Sequence, residues 1–410
     1  MGKNKFSFIT GGSVTTPQGF VASGITAGLK ISGKPDLAMV ASTVPANFAG
    51  AFTSCKFAAA PVQLDRERVR HQDRVRAVIV NSGNANACTG SIGYDNAVKM
   101  CEIAAREMQI APEEVLVSST GRIGVQLPLD IIEAGIVKAV AALSEDGGDV
   151  AAHAIMTTDT KPKSHAVEVE LSGGKVRIGG MTKGAGMIAP RLTVPHATML
   201  CYITTDAAVD NRLLAEFAGS GADSSFNCIN IDGDMSTNDT LILMANGLAG
   251  VTVKAGTEDA AVFYRALLAL LQQLAREMVM DGEGVSKFVT INVRNAASAT
   301  DAYQCAYAVS NSLLCKTAWF GCDPNWGRII AAIGYSGAEF IPENVKLDYN
   351  DKPVVRHAMD AGTPERELAE LLRERDFTVN IDLGAGDADF TMWTNDITYE
   401  YVKINAEYHT

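Results

Sequence analysis

Between residues 257 and 279 the chain repeats a pattern that leaves it little structural freedom. Phe263, Leu267, Leu270, Leu271, Leu274 and Met278 fall on one helical stripe, with Arg265, Gln272 and Arg276 off it. A helix this long and this one-sided must lie on another layer. It stops at Asp281-Gly282, and a strand is expected at 287–294. Helical spacing also recurs at 93–107 (Ala97, Met100, Cys101, Ala104), at 129–143 and at 148–156, and a charged, exposed helix is expected at 364–375. Ala77-Val78-Ile79-Val80 reads as a buried strand, and residues 37–60 read as strands and turns. Pro112-Glu113 opens a short turn before a strand at Val115-Leu116-Val117. Strands at 165–171 and 175–179 are joined by the hairpin signal Ser172-Gly173-Gly174, and 198–205 is again strand-like. This mixture predicts an α/β or α+β layered fold.

At 410 residues the chain suits two domains or one large composite. A net charge of −12 without a basic run argues against nucleic-acid binding, which needs clustered Lys and Arg to neutralise phosphate. None of the eight cysteines forms a C-x-x-C pair, so buried reduced thiols are expected rather than zinc, in keeping with a cytoplasmic protein. Residues 1–6 carry no apolar signal core, and no run of about twenty uncharged apolar residues suggests a membrane span.

Several segments carry possible chemistry. Asn81 to Gly90 is rich in small residues and reads as a loop whose backbone can approach another group closely. Gly180 to Pro190 is an unusual glycine-rich stretch, followed by Arg191-Leu192-Thr193-Val194-Pro195-His196-Ala197-Thr198. Thr198 is either a β-branched strand residue or a nucleophile that attacks the Ala197 carbonyl and so cuts its own chain. The cut would give Thr198 a free α-amine with a pKa of about 7.7–8.0, a base suited to activating its own hydroxyl. That logic needs no histidine, and the six histidines form neither a metal spacing nor a triad. Ser118-Ser119-Thr120-Gly121 is either a common strand-end turn or an oxyanion site. Asp281-Gly282-Glu283-Gly284 is either a helix stop or a carboxylate held for a substrate cation. Lys316 to Arg328 either lines a pocket or caps a core. No P-loop or strand–GxGxxG–helix pattern is present.

In order along the chain, these pieces resemble the ornithine acetyltransferase (glutamate N-acetyltransferase) family of arginine biosynthesis. The resemblance runs from Thr16-Pro17-Gln18-Gly19-Phe20 through Asn81–Gly90, Ser119-Thr120-Gly121 and Thr157-Thr158-Asp159-Thr160. It continues through Lys183–Ile188, Ala197-Thr198-Met199-Leu200, Asp281–Gly284 and Asp323–Arg328 to the ending Ile404–Thr410. It implies a layered sandwich like that of N-terminal-nucleophile hydrolases, with two interleaved lobes. It implies an α chain (1–197) and a β chain (198–410), associated as α2β2. It implies ping-pong transfer of acetyl from N2-acetylornithine to L-glutamate, releasing ornithine and N-acetylglutamate. Thr198 takes the role of nucleophile, and Thr120 and Gly121 that of the oxyanion hole. Thr157, Lys183, Thr198, Glu283, Asn405 and Thr410 take the substrate. No metal or cofactor is implied.

One departure stands out. The family's approach to the cleavage bond is a short Pro-x-x-Ala-Thr, whereas about four further residues lie between Pro190 and Ala197 here. Asn395 replaces a frequent Cys, a minor change. The alternatives are a bifunctional form that also takes acetyl from acetyl-CoA, a related hydrolase, and an uncut amino-acid-binding protein.

Overall fold

The helix expected at 257–279 is shared by the two main sheets. The structure, a computed structural model, describes residues 5–189 and 199–407. In chain order the strands are β1 (Phe6–Ile9), β2 (Phe20–Ile25), β3 (Leu37–Phe52), β4 (Val75–Asn84), β5 (Val115–Arg122), β6 (Lys163–Leu171), β7 (Gly174–Lys183), β8 (Leu200–Thr205) and β9 (Ala208–Val209). They continue as β10 (Ile229–Asn230), β11 (Thr240–Ala245), β12 (Thr252–Val253), β13 (Phe288–Ala296), β14 (Lys346–Tyr349), β15 (Lys352–Arg356), β16 (Met359–Asp360), β17 (Asp376–Asp382) and β18 (Ala388–Asn395). The helices are α1 (Ala60–His71), α2 (Gly90–Met108), α3 (Leu129–Ala141), α4 (Gly148–Ala154), α5 (Asn211–Asp223), α6 (Glu258–Met280), α7 (Ala299–Asn311), α8 (Leu313–Phe320), α9 (Trp326–Gly334), α10 (Glu365–Leu371) and α11 (Tyr399–Glu407).

Helix α6 starts where the Thr257 side chain accepts from the Ala260 N–H, with Glu258 and Asp259 favourably placed in the first turn. Its stripe is fully buried. On one side it meets Val167, Ile178 and Ile203 of the first sheet, and the same core takes in Phe288 and Trp393 of the second. The first sheet runs β1-β6-β7-β8-β11-β3-β4-β5, with β2 paired to β3; the second runs β10-β18-β13-β17-β14-β15-β16. The class is therefore mixed α/β. Helices α1, α2 and α3 supply a core under β3, β4 and β5, while α7, α8 and α9 cover the second sheet.

The first sheet does not respect position 197/198. Strand β8 pairs antiparallel with β7 and parallel with β11, and β11 pairs antiparallel with β3. Strands from either side of that position therefore hydrogen-bond as neighbours within one sheet.

Several expectations shift. Asn81–Asn84 extend β4 instead of forming a loop, because they pair in parallel register with Ser119–Arg122 of β5. Gly180–Lys183 likewise belong to β7, paired with β8. Helix α10 ends at Leu371, earlier than expected, with Leu368 its one buried residue. Lys316–Arg328 forms the end of α8, a turn and the start of α9, with Trp319 buried in the second core; the cap is the correct reading. The cysteines are all unpaired, but only Cys101, Cys201, Cys228, Cys305 and Cys315 are buried. Cys88 is exposed, in a left-handed turn (φ 55°) just before α2. Among the described residues no helix is long and apolar enough to cross a membrane, and no cluster of His, Cys, Asp or Glu is arranged to hold a metal ion.

Candidate active site

One pocket gathers residues from the ends of β5 and β7, the start of β8, the segment 232–239, the turn after α6, and α11. Thr120 and Gly121 enter it from the carboxyl end of β5. Gly121 has φ +130°, and a Cβ there would lie 2.4 Å from the Gly83 carbonyl carbon. Only glycine allows β4 and β5 to run this close. The strand end is locked by neighbours: Ser119 Oγ donates to Asn81 Oδ1 at 2.5 Å, and Asn238 Nδ2 donates to the Ser119 carbonyl at 2.8 Å.

Lys183, the last residue of β7, points across to this edge. Its Nζ donates to Thr157 Oγ1 at 2.8 Å and to Thr120 Oγ1 at 3.4 Å. A Thr120 hydroxyl that accepts from Lys183 keeps its own proton free to donate elsewhere. Burial lowers the Lys183 pKa, and Asp159 opposes that shift.

Behind Lys183 lies a buried ionic group. Lys163 Nζ donates to Asp159 Oδ1 at 2.7 Å and to Asp281 Oδ2 at 2.6 Å. Asp159 also accepts from the N–H of Gly184 at 2.7 Å and of Thr157 at 3.1 Å. Burial opposes its charge, but Lys163, Lys183 and these bonds outweigh it and hold the carboxyl at about 2. Asp159 thus fixes both Thr157 and the turn after Lys183. Asp281 accepts from the backbone and hydroxyl of Thr160, tying the end of α6 to the same loop.

Glu283 is 8% exposed and enters the pocket two residues beyond Asp281. The helix stop is borne out at Asp281, which closes α6, while Glu283 reaches the pocket. Glu283 Oε2 accepts from Asn405 Nδ2 of α11 at 2.7 Å. The carboxylate has room because residue 186 is glycine; a Cβ there would lie 2.6 Å from it. Asp232 accepts from the N–H groups of Met187 and Ile188 at 2.6 and 2.8 Å.

Of the residues singled out in the sequence, Thr120, Gly121, Thr157, Lys183, Glu283 and Asn405 line this one pocket. Ala197, Thr198 and Thr410 lie outside the described residues. Met199, the residue after Thr198, is in the lining. Asp159, Asp232, Asn238 and Tyr401 were not foreseen as site residues. The run Thr157–Thr160 contains Asp159, and Lys183–Ile188 contains the two N–H groups that Asp232 accepts from, but neither run by itself reveals a partner distant in sequence.

Lys183 is the only cationic side chain among the described lining residues, facing Asp232, Asp234, Asp239 and Glu283. The pocket suits a small molecule with a carboxylate at one end and an ammonium at the other. Hydrogen-bond donors at the β5 edge suit a developing oxyanion.

A family model described as the ArgJ family matches residues 21–410. The chain is 48% identical over 402 residues to the "Arginine biosynthesis bifunctional protein ArgJ" of Symbiobacterium thermophilum, covering 97% of this chain and 99% of that one. It is 44% identical over 408 residues to the "Glutamate N-acetyltransferase" of Methanocaldococcus jannaschii, covering 97% and 99%. Among solved structures, it is 41% identical to the ornithine acetyltransferase of Mycobacterium tuberculosis complexed with ornithine, over 46% of this chain and 100% of that one, at a TM-score of 0.42. With a family match over nearly its whole length and relatives of this identity across the same span, the chain belongs to the ArgJ family.

Proposed function

We propose that the chain is a self-cleaving acetyltransferase that moves an acetyl group from N2-acetylornithine to L-glutamate, with Thr198 as nucleophile. The observation that carries this reading is the convergence of Thr120, Gly121, Thr157, Lys183, Glu283 and Asn405 on a pocket that Met199 also lines. Relatives named as a glutamate N-acetyltransferase and as arginine-biosynthesis proteins support the same reaction class.

Maturation begins when the Thr198 hydroxyl attacks the Ala197 carbonyl. The peptide becomes an ester, and water releases an α chain (1–197) and a β chain (198–410). In transfer, the Thr198 α-amine takes the hydroxyl proton as the oxygen attacks the acetyl carbonyl. Thr120 Oγ1 and the Gly121 N–H receive the negative charge on the tetrahedral oxygen. The amide C–N bond then breaks, the ornithine amine takes the proton, and acetyl remains on Thr198. The glutamate amine attacks that ester and leaves as N-acetylglutamate. Lys183 pairs with the α-carboxylate common to both substrates, and Glu283 faces the δ-ammonium of ornithine. Thr157, Asn405 and Thr410 complete the binding set. The matured enzyme is an α2β2 assembly in the cytoplasm and needs no metal or cofactor.

A second donor is favoured by one observation, the "bifunctional" name of the 48%-identical relative. Acetyl-CoA would load the same Thr198, and its thiol would leave in place of ornithine.

Intact mass under denaturing conditions tests the reading. Two species that split between Ala197 and Thr198 are expected, with Thr198→Ala uncut and inactive. A single full-length mass, or an active Thr198→Ala, would overturn it. Thr120→Ala is expected to slow cleavage and transfer together by roughly 10²–10³.

A further inference from the structure

The two substrates of the reaction proposed above differ in charge at their side-chain ends: ornithine brings an ammonium and glutamate a carboxylate. Asp232, Asp234 and Glu283 all line the pocket, and the charges of all three act on the Tyr401 hydroxyl. These carboxylates attract the ammonium and repel the carboxylate. A group that serves both ends must donate as well as accept. A hydroxyl does so, whereas an ionised carboxylate only accepts and an ammonium only donates.

Tyr401 lines the pocket with its backbone fixed and its hydroxyl loosely held. Thr398 Oγ1 donates to the Gly284 carbonyl at 2.8 Å and accepts from the Tyr401 N–H at 3.3 Å. A Cβ on Gly284 would lie 2.9 Å from the Tyr401 nitrogen, so the start of α11 rests directly on the turn that carries Glu283. The Tyr401 carbonyl accepts from Asn405 Nδ2 at 2.9 Å, and the same amide donates to Glu283. Tyr401 Oη, by contrast, makes one long bond among the described residues, to Asp232 Oδ2 at 3.4 Å. A bond of that length is weak and is exchanged at little cost. Burial, followed by the charges of Asp232, Glu283 and Asp234, raises the Tyr401 pKa, so the hydroxyl keeps its proton. Nearby donors are committed elsewhere: Asn238 Nδ2 donates to the carbonyls of Ala85 and Ser119, and Thr237 Oγ1 donates to Asn238 Oδ1.

We propose that Tyr401 is a specificity-determining residue that lets one pocket take both substrates: its hydroxyl donates to the side-chain carboxylate of glutamate and accepts from the side-chain ammonium of ornithine. The proposal rests on the acetyl-transfer reading above. The two roles are unequal in weight. The ammonium has Glu283 and Asp232 to meet it whether or not the hydroxyl is present. The glutamate carboxylate, set among like charges, depends on the neutral donor.

The test is steady-state kinetics of the full protein with N2-acetylornithine and glutamate both varied, for wild type and Tyr401→Phe. The substitution removes one hydroxyl from a half-buried ring and leaves its packing in place, which thermal melts confirm. KM for glutamate is expected to rise about 10-fold or more, the scale of a lost hydrogen bond to a charged group, with KM for N2-acetylornithine within about 3-fold of wild type. Loosening of α11 alone would raise both constants together, so the split between them separates a specificity role from a structural one. An unchanged KM for glutamate, an equal rise in both constants, or a rise for N2-acetylornithine alone overturns the proposal. Wild type that transfers no acetyl group from N2-acetylornithine to glutamate overturns the underlying reading and the proposal with it. The wild-type and variant arms thus tell the two failures apart.

Discussion

Asn405 donates to the Glu283 carboxylate across 2.7 Å, although 122 residues separate the two in sequence. The contact joins the exposed helix α11 to the turn that ends the most deeply packed helix of the fold. Among the described residues it occupies Oε2 of Glu283, and the proposed function assigns the carboxylate to a substrate ammonium.

Asn405→Ala should therefore raise KM for N2-acetylornithine by about 10-fold or more, the scale of a hydrogen bond to a charged group, and leave self-cleavage intact. Steady-state kinetics beside intact mass would show it. An unchanged KM would remove Asn405 from the substrate's surroundings.

Lys183→Met removes the only cation among the described lining residues. A loss of ~10²-fold in kcat/KM for both substrates is expected, since both carry an α-carboxylate. Lys183→Arg should recover little, because the larger guanidinium must fit between Thr157 and Thr120, 2.8 and 3.4 Å from the present nitrogen. A selective loss for one substrate alone would contradict the shared-carboxylate role.

Gly186→Ala places a methyl group 2.6 Å from the Glu283 carboxylate. The expected result is folded protein with weakened donor binding, because a side chain must yield. Gly121→Ala is harsher, since its methyl meets the Gly83 backbone at 2.4 Å and its φ is +130°. That variant should lower the melting temperature as well as activity, and equal melting of the two would contradict the distinction.

Lys163→Met leaves Asp159 and Asp281 facing each other without their shared cation. Breaking a buried ion pair from one side costs about 3–5 kcal/mol. Denaturant unfolding should register a loss of that size. A loss within the range of an ordinary surface substitution would show that solvent reaches the group.

Asp65, buried under β5, accepts from the Val117 N–H, and burial pushes its carboxyl from 3.8 up to about 8. The folded state holds that proton over an interval in which the unfolded state has released it. Stability from this group is full below pH 3.8 and is lost as pH rises to about 8. Asp65→Asn should flatten the fall in melting temperature over that interval. An identical pH profile for wild type and variant would refute the buried neutral carboxyl.

Periodicity alone located α6 to within a residue at each end, because its stripe and its Thr257 cap are local signals. The ordered motifs placed Thr120, Gly121, Thr157, Lys183, Glu283 and Asn405 among the candidates before their meeting point was known. Local signals were less informative where pairing decides conformation. Asn81–Asn84 looks like a loop on small-residue content, yet the parallel register with β5 makes it strand. The helices α1, α5, α7, α8, α9 and α11 carry no comparable local signal, since their buried faces are short, mixed or, in α11, absent, and tertiary packing supplies most of their stability.

By itself the sequence determined the family, the mixed layering, the long helix and the residue types available for acyl transfer. These follow from short-range pattern and from motif order. Only the tertiary structure decided that strands from both sides of position 197/198 share one sheet, that Lys163 sits between Asp159 and Asp281, and that Asp232 grips the turn at Met187. Each of those facts joins residues far apart in the chain. Their distances are set by strand register and by the packing of α6 between two sheets, which no local pattern encodes.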